Sequence, residues 1–335
     1  MRHVGIIGCG HWGRNYTRVF YELSSVERIV CCDRDKQILG KLVEQYSSLQ
    51  ITDNYKNILE NPEIKAVVIA TPAASHFKLA SDCLIARKHL LVEKPLTLKV
   101  DEAKELEELA KKNNLTLMVG HTFLFNAGIQ KVNEYINEEK CGALYYLHAR
   151  RTHMGLIRED VNAAWDLAPH DVYIFSHLLG ENPVSVSAIG GSYLNENKED
   201  VAFITLKYPS GAIGNIHVSW ADSNKIRKIE VVGSRARLIF DDLENLEKVK
   251  IFEKGISTDR SYDSFAEFQY VLRDGDIISP KIFMKEPLKE QCIHFLDCIN
   301  SKKKPLSNAR DGVEVVKIMC AIEQSIKQDG APILI

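Results

Sequence analysis

A short apolar run over residues 4–7 leads directly into Gly8-Cys9-Gly10-His11-Trp12-Gly13, and an amphipathic stretch over 12–23 follows. Alone, a GxGxxG string is common and says little. Set between a strand and a helix, it calls for a parallel sheet whose first turn cradles a dinucleotide. The first glycine lets the chain turn tightly, the second lets backbone approach a pyrophosphate, and the third lets helix and strand pack closely. The free N–H groups and partial positive charge of the helix N-terminus then face the phosphates. Cys9, His11 and Trp12 belong to the same contact set, Cys9 through its N–H rather than its thiol. Asp33 ends a second apolar run, twenty residues past Gly13, where a carboxylate binds the adenosine ribose hydroxyls. Its charge repels a 2′-phosphate and favours NAD; Arg34 beside it suits such a phosphate and keeps NADP as the alternative. A glycine turn with no ligand is the bland reading, and the strand, helix and acid at matching spacing weigh against it.

The pattern after this turn supports the same fold. Apolar runs at 28–32, 66–70, 90–92 and 115–120 read as strands, and amphipathic stretches at 35–46, 75–87 and 100–113 read as helices. Such alternation makes a doubly wound parallel sheet with helices on both faces. Near residue 121 the pattern changes to strands that alternate apolar and polar residues. Runs at 201–208 and 212–220 flank Pro209-Ser210-Gly211, and runs at 228–232 and 235–240 flank Gly233-Ser234. Both read as hairpins of an open, mainly antiparallel sheet with one wet face. Helices are expected at 286–300 and 311–327. The 335 residues exceed one ordinary core. The expected division is therefore 1–121, a Rossmann domain binding NAD, and 122–335, an α+β domain for substrate and oligomerisation.

Composition excludes several function classes. Net charge is -2, and Lys302-Lys303-Lys304 before Pro305 reads as a solvated loop, so no nucleic-acid partner is expected. The eight Cys form no CxxC pair and no zinc spacing, so no metal is expected and the thiols read as reduced. No apolar run is long enough to span a bilayer, and Met1 to Gly8 does not read as a signal peptide. The expected location is cytoplasmic, with no membrane partner. The wet sheet face suggests a homodimer or homotetramer.

Three further segments carry candidate chemistry. Thr71 and Pro72 follow the central strand, with His76 soon after, at the sheet edge where ligands bind. Glu93-Lys94-Pro95 follows the next strand at the same edge; a surface lysine in a turn is its bland alternative. In Trp165-Asp166-Leu167-Ala168-Pro169-His170-Asp171, Asp166 and His170 share a helix face. Pro169 suits a helix start and Asp166 a cap, while His170 suits a general base or a core histidine. His121, Phe123 and Asn126 lie near the domain junction, and His177 reads as packing.

Together these segments resemble the Gfo/Idh/MocA oxidoreductase family (glucose–fructose oxidoreductase, inositol dehydrogenase and relatives) over nearly the whole chain. The combination of Glu93-Lys94-Pro95 with the later Asp166…His170 pair is quite specific. The resemblance implies that Lys94 touches nicotinamide and substrate, His170 is the acid/base, and Asp166 contacts substrate or the lysine. Glu93 is a further candidate for the cofactor, Trp165 either stacks near the nicotinamide or anchors its helix, and Arg158, Asn162 and Asn126 are candidates for the substrate with ordinary loop or packing roles as the alternative. The stretch from Arg158 to Asp171 looks most like the branch acting on nucleotide-linked sugars. The implied substrate is a sugar or nucleotide-sugar, oxidised at a secondary hydroxyl, with free polyols or the reverse reduction as alternatives. A non-catalytic sensor on the same fold is the rival of another class, disfavoured because Lys94, Asp166 and His170 are all present.

Overall fold

The computed structural model describes residues 3–155, 157–194, 196, 198–258 and 270–335. Met1 and Arg2, the start of the stretch read as lacking a signal peptide, lie outside the described residues. The chain forms two compact units, one of Met1–Phe125 with Lys285–Cys320, the other of Asn126–Met284 with Ala321–Ile335.

The first unit opens with β1 (His3–Ile7), α1 (His11–Glu22), β2 (Arg28–Cys32), α2 (Lys36–Gln45), β3 (Gln50–Thr52) and α3 (Lys56–Glu60). It continues with β4 (Ala66–Ile69), α4 (His76–Ile85), β5 (His89–Val92), α5 (Val100–Lys112) and β6 (Leu117–Val119). The six strands pair in parallel in the order β3-β2-β1-β4-β5-β6. Strand order reverses between β1 and β4, so their carboxyl ends border the crevice where such sheets bind ligands. Every residue of β4 is buried, as expected of a central strand covered on both faces. β3 and α3 carry no apolar alternation and were not legible. Asp35 caps α2 by accepting from the backbone N–H groups of Gln37 and Ile38, at 2.8 and 3.4 Å. In α5, Asp101 and Glu102 sit in the first turn and Lys111 and Lys112 in the last, complementing the helix dipole.

The second unit begins with α6 (Ala127–Asn137), β7 (Leu144–Met154), α7 (Ala163–Leu179), β8 (Ser185–Gly191), β9 (Val201–Lys207) and β10 (Ile213–Ser219). β11 (Ala221–Gly233), β12 (Arg237–Asp241), β13 (Val249–Phe252), β14 (Gly255–Thr258), β15 (Tyr270–Arg273) and β16 (Ile277–Ile278) follow. The chain then runs through α8 (Pro287–Ser301) and the start of α9 (Ala309–Lys327), which belong to the first unit, before the end of α9 and β17 (Ile333–Leu334) complete the second. Nine strands pair in the order β16-β13-β12-β11-β7-β10-β9-β8-β17, antiparallel except for β7 with β10. Both expected hairpins form, β9 with β10 and β11 with β12. α7 packs on β7, β9 and β10 over the inward side chains Ala202, Ile204, Leu206, Ile216 and Val218. The alternate residues Tyr146, Phe203 and Ile213 face outward and are exposed. A buried ion pair fixes α7 to β7, with Arg151 donating to both oxygens of Asp171 at 3.0 and 2.7 Å.

A cut at 121 follows chain order, whereas compactness follows packing. α8 and the first part of α9 pack in the first unit. α8 lies against α1 and the short turn Thr122–Phe125. Lys302 caps α8 in the left-handed region (φ 54), and Lys303 and Lys304 are exposed beyond it, as a solvated loop should be.

Candidate functional site

In the first unit the glycine turn is built for close approach. Gly8 has φ +89, and a Cβ there would lie 2.8 Å from the Ala70 carbonyl at the end of β4. A Cβ on Gly13 would stand 1.9 Å from the Gly8 oxygen, so only glycine lets α1 approach β1. A Cβ on Gly10 would meet nothing within 4 Å, which leaves the N-terminus of α1 open on that side. His11 and Trp12 form the first turn of α1, their rings edge to face at 5.7 Å.

A cavity of about 550 Å³ runs from this opening and is lined by Gly8, Gly10, Asp33, Arg34, Thr71 and Pro72, among others. Asp33 is fixed on its wall, accepting from the backbone N–H of Cys9 at 2.7 Å and of Asp35 at 3.0 Å. Cys9 thus acts through its N–H, while its thiol is pushed well up by its hydrogen bond to Cys31 and by burial and stays protonated. An open N-terminus, a glycine cradle and a carboxylate at the far wall fit a dinucleotide.

The loops after β4 and β5 are tied together from behind. His76 is buried, with Nδ1 2.8 Å from the Pro95 oxygen and Nε2 2.9 Å from the Thr71 oxygen. Glu93 is also buried and accepts from the Tyr16 hydroxyl at 2.6 Å. These two side chains therefore support the loops that carry Thr71, Pro72 and Lys94. Lys94 itself is half-buried and joined to Pro95 by a cis peptide. His121 is buried nearby; burial first and the Lys94 charge second push its pKa down to about 3, so the ring is neutral.

In the second unit α7 carries the other candidates. It starts at Ala163, capped by Asn162, whose Oδ1 accepts from the Trp165 N–H at 2.9 Å and whose Nδ2 donates to Glu199 at 2.8 Å. Pro169 therefore lies inside the helix rather than at its start, and Asp166 is in the first turn rather than the cap. Asn162 supplies the capping acceptor four residues before Asp166, and Pro169 has no N–H to give the Trp165 carbonyl one turn earlier. Between residues 163 and 176 only Asp166 and His170 are half-exposed, and every other residue is buried. The Asp166 carboxylate accepts from the Trp220 indole N–H at 3.3 Å and from Arg158 at 3.4 Å. Arg158 also grips Asp160 with two bonds of 2.8 and 2.7 Å. Trp165 is buried and donates from Nε1 to Glu323 at 3.0 Å, the geometry of an anchor for the helix. Asn126 caps α6 and donates to Asp242 at 3.1 Å, so both ends of its amide are engaged in the scaffold.

Sequence reasoning missed Trp220, Tyr16 and Gln291. Each sits where periodicity assigns core, and only a polar atom on a buried ring or amide distinguishes it. Among the described residues no group of His, Cys, Asp and Glu is arranged to hold a metal ion, and no helix is long and apolar enough to cross a membrane.

Residues 2–121 match the model of an oxidoreductase family with an NAD-binding Rossmann fold, and residues 160–334 match that family's C-terminal alpha/beta domain. The chain belongs to the Gfo/Idh/MocA oxidoreductase family. As a family member it is an NAD(P)-dependent dehydrogenase, with the Rossmann unit and the mixed, mostly antiparallel sheet as expected. It is 28% identical to UDP-N-acetylglucosamine 3-dehydrogenase of Acidithiobacillus ferrooxidans, over 76% of this chain and 78% of that one. It is 24% identical to myo-inositol 2-dehydrogenase of Thermotoga maritima, over 97% and 96%. A solved structure of the Acidithiobacillus enzyme superposes with a TM-score of 0.80 at 22% identity, covering 98% of both chains.

Proposed function

We propose that this protein transfers a hydride between a secondary hydroxyl of a sugar and NAD, the sugar being nucleotide-linked and the carbon C3. The observation that carries the reading is the half-exposed pair Asp166 and His170 on an otherwise buried stretch of α7. A few polar groups set among apolar ones are the arrangement of a ligand site. The relative acting on UDP-N-acetylglucosamine supports the nucleotide-linked substrate.

In this reading Gly8, Gly10 and Gly13 shape the phosphate cradle, Asp33 receives the ribose hydroxyls, and Thr71 and Pro72 wall the cavity. Bound NAD supplies the hydride acceptor. His170 takes the hydroxyl proton onto its imidazole. The Lys94 ammonium stabilises the oxyanion that develops as the C–H bond breaks, and the product is a ketone. Asp166, held by Trp220 and Arg158, orients the substrate. Function divides at residue 121, with cofactor binding before it and substrate binding and self-association after it. The outward Tyr146, Phe203 and Ile213 face suits a homodimer or homotetramer, and the protein works in the cytoplasm.

A panel of UDP-N-acetylglucosamine, its uronate, myo-inositol and scyllo-inositol tests the reading, with NADH formation followed in the presence of a ketone trap. Turnover of a UDP-sugar supports it. Turnover of the inositols alone moves the substrate to free polyols and overturns the nucleotide-linked part.

A further inference from the structure

Behind the Lys94 loop runs a chain of buried polar groups that the mechanism above does not use. Tyr16 on α1 is wholly buried and donates from its hydroxyl to Glu93 Oε1 at 2.6 Å. Gln291 on α8, also wholly buried, donates from Nε2 to the Tyr16 oxygen at 2.8 Å. The Lys94 backbone N–H donates to the other Glu93 oxygen at 3.2 Å. With Gln291 Nε2 facing the Tyr16 oxygen, the bonds run one way. Tyr16 has one proton; its oxygen accepts from the amide, so the proton points at Glu93. Both Glu93 oxygens accept, which is the bonding pattern of an ionised carboxylate. Burial first and the Glu93 charge second hold the Tyr16 phenol well above its ordinary pKa, so it remains a donor.

Burying a carboxylate, a phenol and an amide together is unfavourable, the more so because the Gln291 Oε1 is buried without a hydrogen-bond partner, and an apolar cluster would hold the helices as well. What the polar chain adds is a fixed position for the loop at its end. We infer that Tyr16 and Gln291 are positioning residues for Lys94, acting through Glu93, which they hold as a buried carboxylate against the Lys94 backbone. The inference rests on the reading of Lys94 as the group that meets substrate. It also gives the chain's return through α8 a functional reason, because Gln291 comes from that segment.

The test compares Tyr16→Phe, Glu93→Gln, their double variant, Gln291→Met and Lys94→Ala. Each is measured for NAD affinity, and for kcat and KM against pH with UDP-N-acetylglucosamine, or myo-inositol if that is turned over faster. Tyr16→Phe and Glu93→Gln are each expected to lower kcat about 10- to 100-fold, the scale of a small misplacement of a reacting group. NAD affinity is expected to stay within about twofold, and the double variant to be no worse than the poorer single, as for residues acting in one unit. The loss is expected to fall on kcat, with KM for the sugar little changed. Wild-type kcat in Tyr16→Phe, additive losses in the double variant, or a fall in NAD affinity matching that in kcat would each overturn the inference. If Tyr16→Phe does not fold, Gln291→Met is judged by the same criteria. Lys94→Ala separates the two ideas. Full turnover there defeats the functional reading, whereas loss there with none in Tyr16→Phe defeats only the positioning role.

Discussion

Gly10→Ala separates cofactor binding from folding. A Cβ at Gly10 meets no protein atom within 4 Å, so the substitution creates no clash. Alanine in place of glycine at a helix N-cap costs up to about 1 kcal/mol. The stiffer unfolded chain offsets about 0.4–1 kcal/mol of that. The ligand-free protein should therefore unfold within about 1 kcal/mol of wild type. With NAD the outcome differs, because the methyl group fills the side from which a phosphate reaches the first N–H groups of α1. A hydrogen bond to a charged partner contributes about 1.5–3 kcal/mol, so losing one raises the Kd for NAD about 10- to 150-fold. Calorimetric titration with NAD and urea unfolding without it measure the two quantities. Gly13→Ala is the contrast: its Cβ would lie 1.9 Å from the Gly8 oxygen. It should lose about 1–3 kcal/mol of stability before any cofactor is added, as overpacked sites do. Wild-type NAD affinity in Gly10→Ala would refute the cradle as the phosphate site.

Other perturbations have equally direct outcomes. Asp171→Ala leaves Arg151 buried without its carboxylate and should destabilise the protein by about 3–5 kcal/mol in urea unfolding. His121 has a pKa of about 3 when folded against an ordinary 6.5, so the unfolded chain binds the extra proton between these values. Stability from this group is complete above about pH 6.5 and lost as pH falls toward 3, with a slope of up to about 1.4 kcal/mol per pH unit. His121→Gln should flatten the stability profile in that window, and an unchanged slope would show that His121 is not held neutral. Cys9, with its thiol buried and its pKa raised, should resist alkylation in the native protein while unfolded protein reacts.

The Rossmann unit was legible because each of its signals is local. The run over β1, the glycines and Asp33 lie within one βαβ span, and the structure places them at one sheet edge. β3 escaped notice because its three residues, Gln50–Thr52, form an exposed edge with no alternation. α6 was missed for a related reason: its start is set by the Asn126 cap, not by any change in periodicity. The Pro169 reading failed because a proline marks helix starts on average, whereas here Asn162 caps the helix well before it. The return of α8 to the first unit could not be read at all, since an amphipathic helix does not state which sheet it will cover. The supporting roles of His76 and Glu93 were hidden for the same reason, and for Trp165 stacking and anchoring could not be told apart. Whether a polar side chain faces a ligand or a carbonyl depends on neighbours distant in the chain, such as Pro95, Tyr16 and Glu323.

In the proposed reaction His170 removes the hydroxyl proton during hydride transfer to NAD. A single-turnover comparison of wild type and His170→Ala tests it most directly, with UDP-N-acetylglucosamine, NAD and a ketone trap, and NAD affinity measured in parallel. NAD binding is expected to be unchanged and the rate of NADH formation lower by about 10²- to 10⁴-fold, the usual loss of a general base. NADH formation at the wild-type rate in His170→Ala would contradict it.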